Sequence, residues 1–198
     1  MKHFVITTMY GGLLVLLSLG TVSAGSFNID EVLATKLSAC KAAPTGTPLK
    51  IGYAADFSDL GGFADKPASQ AALYFVELVN CAGGVDGSPI KLIIKNIEGN
   101  PEVTQRVGHE LMAAGVSAML GPPFPDFGEP LLQVTAGKVA TLFVASTEPM
   151  LANSKALSYL VAFDDTAQAT AAAKFALQQG WRTAVTFSAP GPYFGYNP

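Results

Sequence analysis

The chain is poor in charge of either sign and has very little arginine. Charged residues make up 14% of its 198 residues, and the formal net charge is −3. Arg106 and Arg182 are the two arginines, and the lysines form no basic cluster. A nucleic-acid partner requires a cationic face that displaces counterions from phosphate. Because the sequence offers no such face, we expect no nucleic-acid partner.

Residues that carry out covalent or acid–base chemistry are also scarce. Histidine occurs twice, as His3 and His109, and His109 falls on the polar side of a predicted helix. The sequence contains no Gly-x-Ser-x-Gly motif, and the glycines after the first predicted strand lack the spacing of a phosphate-binding loop. These absences predict a protein that is not an enzyme and holds no cofactor or metal. Its function is expected to be recognition rather than reaction.

The long apolar run of the chain lies at its start. A short basic beginning leads into a mostly apolar stretch over 5–20, and small residues follow that stretch. This pattern predicts a signal peptide over 1–24, cleaved between Ala24 and Gly25. An uncleaved anchor is the alternative, although Thr7, Thr8 and two glycines interrupt the run. We therefore expect an exported, periplasmic or extracellular protein.

Cysteine occurs twice, as Cys40 and Cys81, both in the part that export would deliver to an oxidising compartment. A disulfide between them would close a loop of roughly 40 residues, worth about 4 kcal/mol in the chain-entropy model. Two free thiols are the alternative. A metal site formed with the distant His109 is less favoured.

Short apolar runs alternate with helical patterns from residue 49 onward. The predicted strands cover 49–54, 90–94, 117–120, 139–144, a weak segment at 159–163, and 183–187. The predicted helices begin at 65, 100, 126 and 165 and end before glycines at 83, 115, 137 and 180. Strands of this length between helices indicate βαβ units, and nearly continuous apolar strands indicate a sheet covered on both faces. The fold class is therefore α/β, with a parallel, doubly wound sheet.

Three of the helix starts carry cap signals. Asp65 precedes Pro67, Asn100 precedes Pro101, and Asp126 stands three residues before Glu129 in a pattern typical of a capping box. We expect each of these side chains to accept hydrogen bonds from its own helix.

Three loops at the carboxyl ends of predicted strands are candidates for binding a small molecule. They cover 55–65, the proline-rich segment "MLGPPFPDFGEP" at 119–130, and 145–149. In a parallel sheet such loops meet at one edge. The loops supply hydroxyls, carboxylates and aromatic walls: Ser58, Ser146, Thr147, Asp56, Asp59, Asp126, Phe57, Phe63, Phe124 and Phe127. The prolines reduce the ordering cost of binding, although turn formation alone also accounts for them.

Several segments taken together resemble the type I periplasmic binding proteins of the branched-chain amino acid class. The segment "QAALYFVELVNCAGGVDGSPIKLIIKN" is similar to the end of that family's first helix and its second strand, with matches at Asn80, Gly83, Gly84, Val85 and Gly87. The segments "GNPEVTQRVGHELMAAGVSAMLGP" and "FVASTEPML" are similar to the strands that follow. The resemblance covers about 50–195. It implies a two-lobed, hinged protein that binds a small molecule and delivers it to the membrane permease of an ABC importer.

The resemblance also implies a ligand set for this chain. Ala145, Ser146 and Thr147 fall on the fourth-strand loop, which in this family holds the amino and carboxylate groups of an amino acid. Phe63 lies where the first loop often presents an aromatic residue. The second lobe is expected to contribute at Tyr193 and Phe194. Pro125 and Asp126 replace the usual serines of the third-strand loop, and Asp126 would repel a carboxylate unless a cation or an amide faced it.

By the same resemblance, Cys40 and Cys81 meet at the face opposite the ligand, so the expected disulfide is structural. The domain boundaries follow as a signal peptide over 1–24, an N-terminal lead-in over 25–49, a first lobe over 50–163, and the beginning of a second lobe over 164–198. With the second lobe only begun, we expect this chain alone to bind weakly and to expose apolar surface.

Two other functional classes stay open at this point. One is a ligand-sensing domain of the same fold that signals to a membrane partner. The other, less favoured, is an exported α/β enzyme.

Overall fold

The computed structural model describes residues 27–185. Helix α1 lies in the lead-in, and a five-stranded sheet with four further helices follows it. The bounds are α1 Ile29–Ala34, β1 Leu49–Ala55, α2 Gly62–Cys81, β2 Ile90–Asn96, α3 Pro101–Ala113, β3 Ala118–Gly121, α4 Pro125–Thr135, β4 Ala140–Phe143, β5 Ser158–Leu160 and α5 Asp165–Gln178, with 3₁₀ turns at Pro149–Leu151 and Ser154–Ala156.

The five strands form one sheet in the order β2-β1-β3-β4-β5. Each neighbouring pair is parallel, and Tyr53 of β1 pairs with Leu120 of β3, which pairs in turn with Leu142 of β4. The predicted α/β class with a parallel sheet is confirmed. The carboxyl ends of all five strands therefore lie at the same edge.

Helices α3 and α4 cover one face of the sheet. Buried Met119 and Leu131 belong to the apolar cluster between these helices and the strands. The fit is close at Gly52, where a Cβ atom would lie 2.8 Å from the Met119 sulfur. Interiors are packed at the density of organic crystals, so this position tolerates little added volume.

Helix α2 covers the other face over β1 and β2, and the described residues leave the rest of that face uncovered. Leu120 and Leu142 are half-buried, and Tyr159, in the same cross-strand row, is 43% exposed. Helix α5 has no buried residue. The described part of the chain thus exposes apolar surface on this face, as the sequence predicts.

The helix starts agree only partly with the predicted caps. Asn100 Oδ1 accepts hydrogen bonds from the backbone N–H groups of Glu102 and Val103 at 2.9 and 3.1 Å, so this cap is confirmed. The predicted start at Asp65 is wrong, because α2 begins at Gly62 and Asp65 lies buried in its first turn. Buried carboxylates need partners other than solvent, and Asp65 finds them across the loop rather than in its own helix.

The capping box predicted for Asp126 and Glu129 is also wrong. Helix α4 begins one residue earlier, at Pro125, after Phe124, which makes no side-chain cap. Proline suits the first helical position because its φ is already helical and it has no N–H to satisfy. Asp126 therefore lies inside the first turn, where the positive end of the helix dipole stabilises a carboxylate.

Cys40 and Cys81 form a disulfide, as predicted. The backbone N–H of Lys41 also donates to the carbonyl oxygen of Cys81 at 2.9 Å. Since Cys81 ends α2 and strand β1 begins eight residues after Lys41, the bridge ties the lead-in to the amino edge of the sheet. It lies on the side away from the three candidate loops.

Two further predictions concern the ends of the chain. The signal peptide and its cleavage between Ala24 and Gly25 lie outside the described residues. Of the strand predicted over 183–187, Thr183–Val185 have no regular structure, and the remainder also lies outside.

Candidate ligand-binding edge of the sheet

The loops that follow β1, β3 and β4 lie side by side at the carboxyl edge of the sheet. The strands are neighbours and parallel, so their successors, 56–61, 122–124 and 144–148, emerge in the same direction. We refer to these three loops, with the first turns of α2 and α4, as the ligand edge.

The first loop is fixed by Asp65. Its Oδ1 accepts a 2.7 Å hydrogen bond from the Tyr53 hydroxyl, and its Oδ2 accepts a 2.6 Å bond from the backbone N–H of Asp56. Burial raises the pKa of Asp65 from 3.8 to about 6, against the lowering effect of these two donors, and the charge of Asp56 adds to the rise. Burial, with the bond to Asp65, also raises the pKa of Tyr53 well above its usual value. The pair ties strand β1 to helix α2 beneath the loop.

Asp56 itself is fully buried at the start of this loop. Its Oδ1 accepts from the N–H of Ser58 at 2.9 Å, whereas Oδ2 has no hydrogen-bond partner among the described residues. A Cβ atom on Gly61 would lie 2.4 Å from that oxygen, so only glycine fits beside it. The loop is further held by Asn96, whose Oδ1 accepts from the N–H of Phe57 at 3.0 Å.

The proline-rich loop positions an aromatic side chain. Pro122 and Pro123 are buried, and Pro125 begins α4. Between them, the ring of Phe124 lies 6.2 Å from that of Phe63, at a tilt of 49°. Phe63 is 73% exposed in the first turn of α2. The prolines therefore hold Phe124, the half-buried member of an aromatic pair whose other member is exposed.

The loop after β4 contributes a hydroxyl. Ala145 is exposed and Thr147 is half-buried, but Ser146 is only 1% exposed. The Ser146 hydroxyl has no hydrogen-bond partner within residues 27–185. Buried polar atoms are nearly always paired, so an unpaired hydroxyl in a loop calls for a partner outside the chain, either a ligand or a water molecule. The carbonyl oxygen of Thr147 accepts from the N–H of Asp165 at 2.9 Å, which ties this loop to α5.

Most residues of the predicted ligand set lie at this edge: Phe63, Pro125, Asp126, Ala145, Ser146 and Thr147. Tyr193 and Phe194 lie outside the described residues. The sequence reasoning missed Tyr53 and Asp65, which hold the first loop. A buried tyrosine in an apolar strand was a signal for such a partner, because a buried phenol requires one.

A cleft in the described part of the chain lies apart from the predicted ligand residues. A cleft of about 430 Å³ runs along β5 to the start of α5, between Tyr159 and Asp164, but none of the predicted ligand residues lines it. Among residues 27–185, no group of three or more histidine, cysteine, aspartate or glutamate side chains is placed to hold a metal. His109 is exposed on α3. Over the same residues, no helix is both long and apolar enough to cross a membrane.

Solved structures share this fold. The structural match to LivJ from Streptococcus pneumoniae, a branched-chain amino acid transporter substrate-binding protein in complex with isoleucine, has a TM-score of 0.57 and 22% identity; it covers 61% of this chain and 35% of that one. The match to an ABC transporter substrate-binding protein from Desulfitobacterium hafniense in complex with Leu has a TM-score of 0.63 and 23% identity. It covers 75% of this chain and 44% of that one.

The match to a solute-binding protein of an ABC transporter from Rhodopseudomonas palustris, in complex with 3,4-dihydroxybenzoic acid, has a TM-score of 0.55 and 18% identity. It covers 67% of this chain and 37% of that one. The matched segment is thus less than half of each of these longer structures. At these identities the likeness establishes the fold alone. No curated protein matches the chain by sequence.

A family model supplies the assignment that the structures alone do not. The model described as periplasmic binding protein matches residues 48–196, which is most of the chain and includes every element from β1 to α5. The chain therefore belongs to the periplasmic binding protein family.

Proposed function

We propose that the chain is part of an extracytoplasmic solute-binding protein of an ABC importer, and that it binds an amino acid or a related amide at the ligand edge. The observation that carries the proposal is the buried hydroxyl of Ser146 in the loop after β4, which has no hydrogen-bond partner among residues 27–185. Ser146 follows β4, and the neighbouring strand β3 leads into Phe124, whose ring packs against that of Phe63. Hydroxyl and backbone groups next to apolar walls are suited to holding a small polar molecule without reacting with it.

The solved structures support the ligand class. One of the proteins with this fold is in complex with isoleucine and another with Leu. Function is located in sites rather than in folds, so the transfer to this chain depends on the residues at its own edge.

We further propose that 50–163 is the first lobe and that 164–198 begins the second, with Tyr193 and Phe194 approaching the ligand from that side. The hydrogen bond from Asp165 to the Thr147 carbonyl supports this arrangement, because it links the candidate ligand loop to the helix that opens the second lobe. The membrane permease is the proposed partner. Export by a signal peptide cleaved after Ala24 is testable by N-terminal sequencing of the exported protein.

The proposal is tested by binding measurements on the 198-residue chain. Protein-observed NMR is suited to the weak affinity expected of it, with L-leucine, L-isoleucine and their amides as probes. Ser146→Ala should weaken binding about tenfold, since a hydrogen bond from ligand to protein is worth roughly 1 kcal/mol or more. Ser154→Ala, an exposed serine before β5, is the matched control and should bind as the parent does. Equal affinity of the parent and Ser146→Ala for every probe would exclude this site.

A further inference from the structure

The carboxyl edge of the sheet is acidic. At the carboxyl edge, the segments 56–66, 97–102, 122–129, 144–149 and 161–166 hold ten carboxylates and a single lysine, Lys66. At the amino edge, the segments before the strands hold charges of both signs: Lys36, Lys41, Lys138 and Lys155 with Asp30, Glu31 and Asp86. The excess of carboxylates therefore belongs to the carboxyl edge.

Helix ends account for part of this pattern. Lys50 and Lys138 donate to the carbonyl oxygens of Ala114 and Val134 at 2.7 and 2.9 Å, at the carboxyl ends of α3 and α4. Asp164 accepts from the N–H of Ala167 at the start of α5. Each helix start carries only about half a positive charge, however, so four of them do not offset ten carboxylates. A molecule approaching the ligand edge meets a negative field, which attracts cations and repels carboxylates.

The aromatic pair at this edge has the chemistry of a cation site. Phe63 is 73% exposed and lies against Phe124, so the ring surface of Phe63 is available to a ligand. Aromatic faces attract organic cations, and such contacts are worth about 0.5 to 2 kcal/mol. Asp126 follows Phe124 by two residues, and its half-buried carboxylate forms no hydrogen bond or ion pair with the other described residues. Its carboxylate is thus available as a counter-charge.

A separate observation requires an additional partner at the same edge. The Ser146 hydroxyl is buried and has no hydrogen-bond partner in the described part of the chain. It lies in the loop after β4, the strand next to β3, from which the loop of Phe124 and Asp126 emerges. A hydroxyl can donate to or accept from a ligand. None of these side chains carries a positive charge that would offset the repulsion between Asp126 and a ligand carboxylate.

We infer that the ligand of this edge is an organic ammonium ion without a compensating carboxylate, such as an amino-acid amide or a quaternary amine. The inference rests on the proposed function, because it names the chemical class bound at the same site. The ammonium group lies against Phe63 and Phe124 with Asp126 as its counter-charge, and a polar group of the ligand bonds to Ser146.

The test compares two probe pairs by NMR titration of the 198-residue chain. Choline is matched with 3,3-dimethylbutan-1-ol, its uncharged carbon isostere, and L-leucinamide is matched with L-leucine, which adds a carboxylate. We expect choline and L-leucinamide to shift the amide signals of Phe63 and Ser146 with dissociation constants about tenfold below those of their partners. Added salt should weaken the binding of choline, because screening reduces the attraction to carboxylates.

Variants locate the counter-charge. Asp126→Asn should reduce the preference for choline over its isostere several-fold. Asp86→Asn, at the opposite edge, should leave that preference unchanged, and asparagine is tolerated at its left-handed φ of 49°.

The possible outcomes distinguish failure of the inference from failure of the proposed function. L-leucine binding at Ser146 more tightly than L-leucinamide would overturn the inference and leave the proposed function standing. Choline shifts confined to the amino edge would also overturn it. If none of the four probes gave a saturable shift at the ligand edge, the inference and the proposed function would both be contradicted.

Discussion

The Tyr53 hydroxyl and Asp65 Oδ1 lie 2.7 Å apart, joined by a hydrogen bond between strand β1 and helix α2 that is buried at both ends. The other oxygen of Asp65 accepts from the backbone of Asp56, the first residue after the strand. Because one carboxyl group bonds to both the strand and the loop, we expect the stability of the lobe and the shape of the ligand edge to be coupled through Asp65.

Removing the phenol tests this bond. Tyr53→Phe should lower the free energy of unfolding by about 1 to 3 kcal/mol, because Asp65 would stay buried with one donor fewer. Urea denaturation measures the change. Tyr74→Phe, which changes an exposed tyrosine of helix α2, is the matched control. Its free energy of unfolding should differ from that of the parent by less than about 0.5 kcal/mol. Equal stability of the two variants would show that the bond contributes nothing.

The pKa of Asp65 predicts a pH dependence of stability. Folding raises the pKa of Asp65 from 3.8 to about 6. Between these two pH values, Asp65 keeps its proton in the folded protein but has lost it in the unfolded chain. The contribution of Asp65 to the free energy of unfolding should therefore fall as pH rises from about 4 to 6 and level off above, by at most roughly 3 kcal/mol.

The matched variant is Asp65→Asn, which has no proton to lose at this position. The unfolding free energy of the parent minus that of Asp65→Asn, measured from about pH 4 to 6, isolates this group from the other carboxylates. This difference should fall as pH rises. A difference that stayed constant, or that rose with pH, would contradict the assignment.

The disulfide predicts a redox effect on stability that does not reach the ligand edge. Closing a loop between Cys40 and Cys81, 41 residues apart in sequence, should stabilise the chain by about 4 kcal/mol in the chain-entropy model. Reduction should therefore lower the melting temperature, and the double variant Cys40→Ser with Cys81→Ser should match the reduced parent and no longer respond to reductant. Ligand-edge amide signals that moved on reduction would show that the bridge is not purely structural.

Much of the fold was predictable from local signals. The alternation of apolar runs and helix patterns identified the parallel sheet, and Asn100 with Pro101 identified the start of α3, because a cap is decided by a few adjacent residues. The caps predicted at Asp65 and Asp126 were wrong for a physical reason. The helices begin at Gly62 and Pro125. The carboxylate of Asp65 bonds to the buried phenol of Tyr53 on strand β1 instead of capping its own helix.

The ligand edge was predictable only as a set of loops. Parallel strands bring their carboxyl ends together, so the neighbourhood of Asp126 and Ser146 followed from the fold class. That Ser146 is buried without a partner, and that Phe63 packs against Phe124, depends on tertiary packing that no spacing in the sequence encodes. The roles of Tyr193 and Phe194 stay predictions.

The central claim is that small molecules bind where β1, β3 and β4 end, and amide chemical-shift mapping tests it most directly. The 198-residue chain is titrated with L-leucine and, separately, with L-leucinamide. Saturable shifts are expected in the loops 56–61, 122–126 and 145–148 with at least one of the two ligands. Saturable shifts confined to the turns at the opposite edge, 82–89 and 136–139, would contradict it.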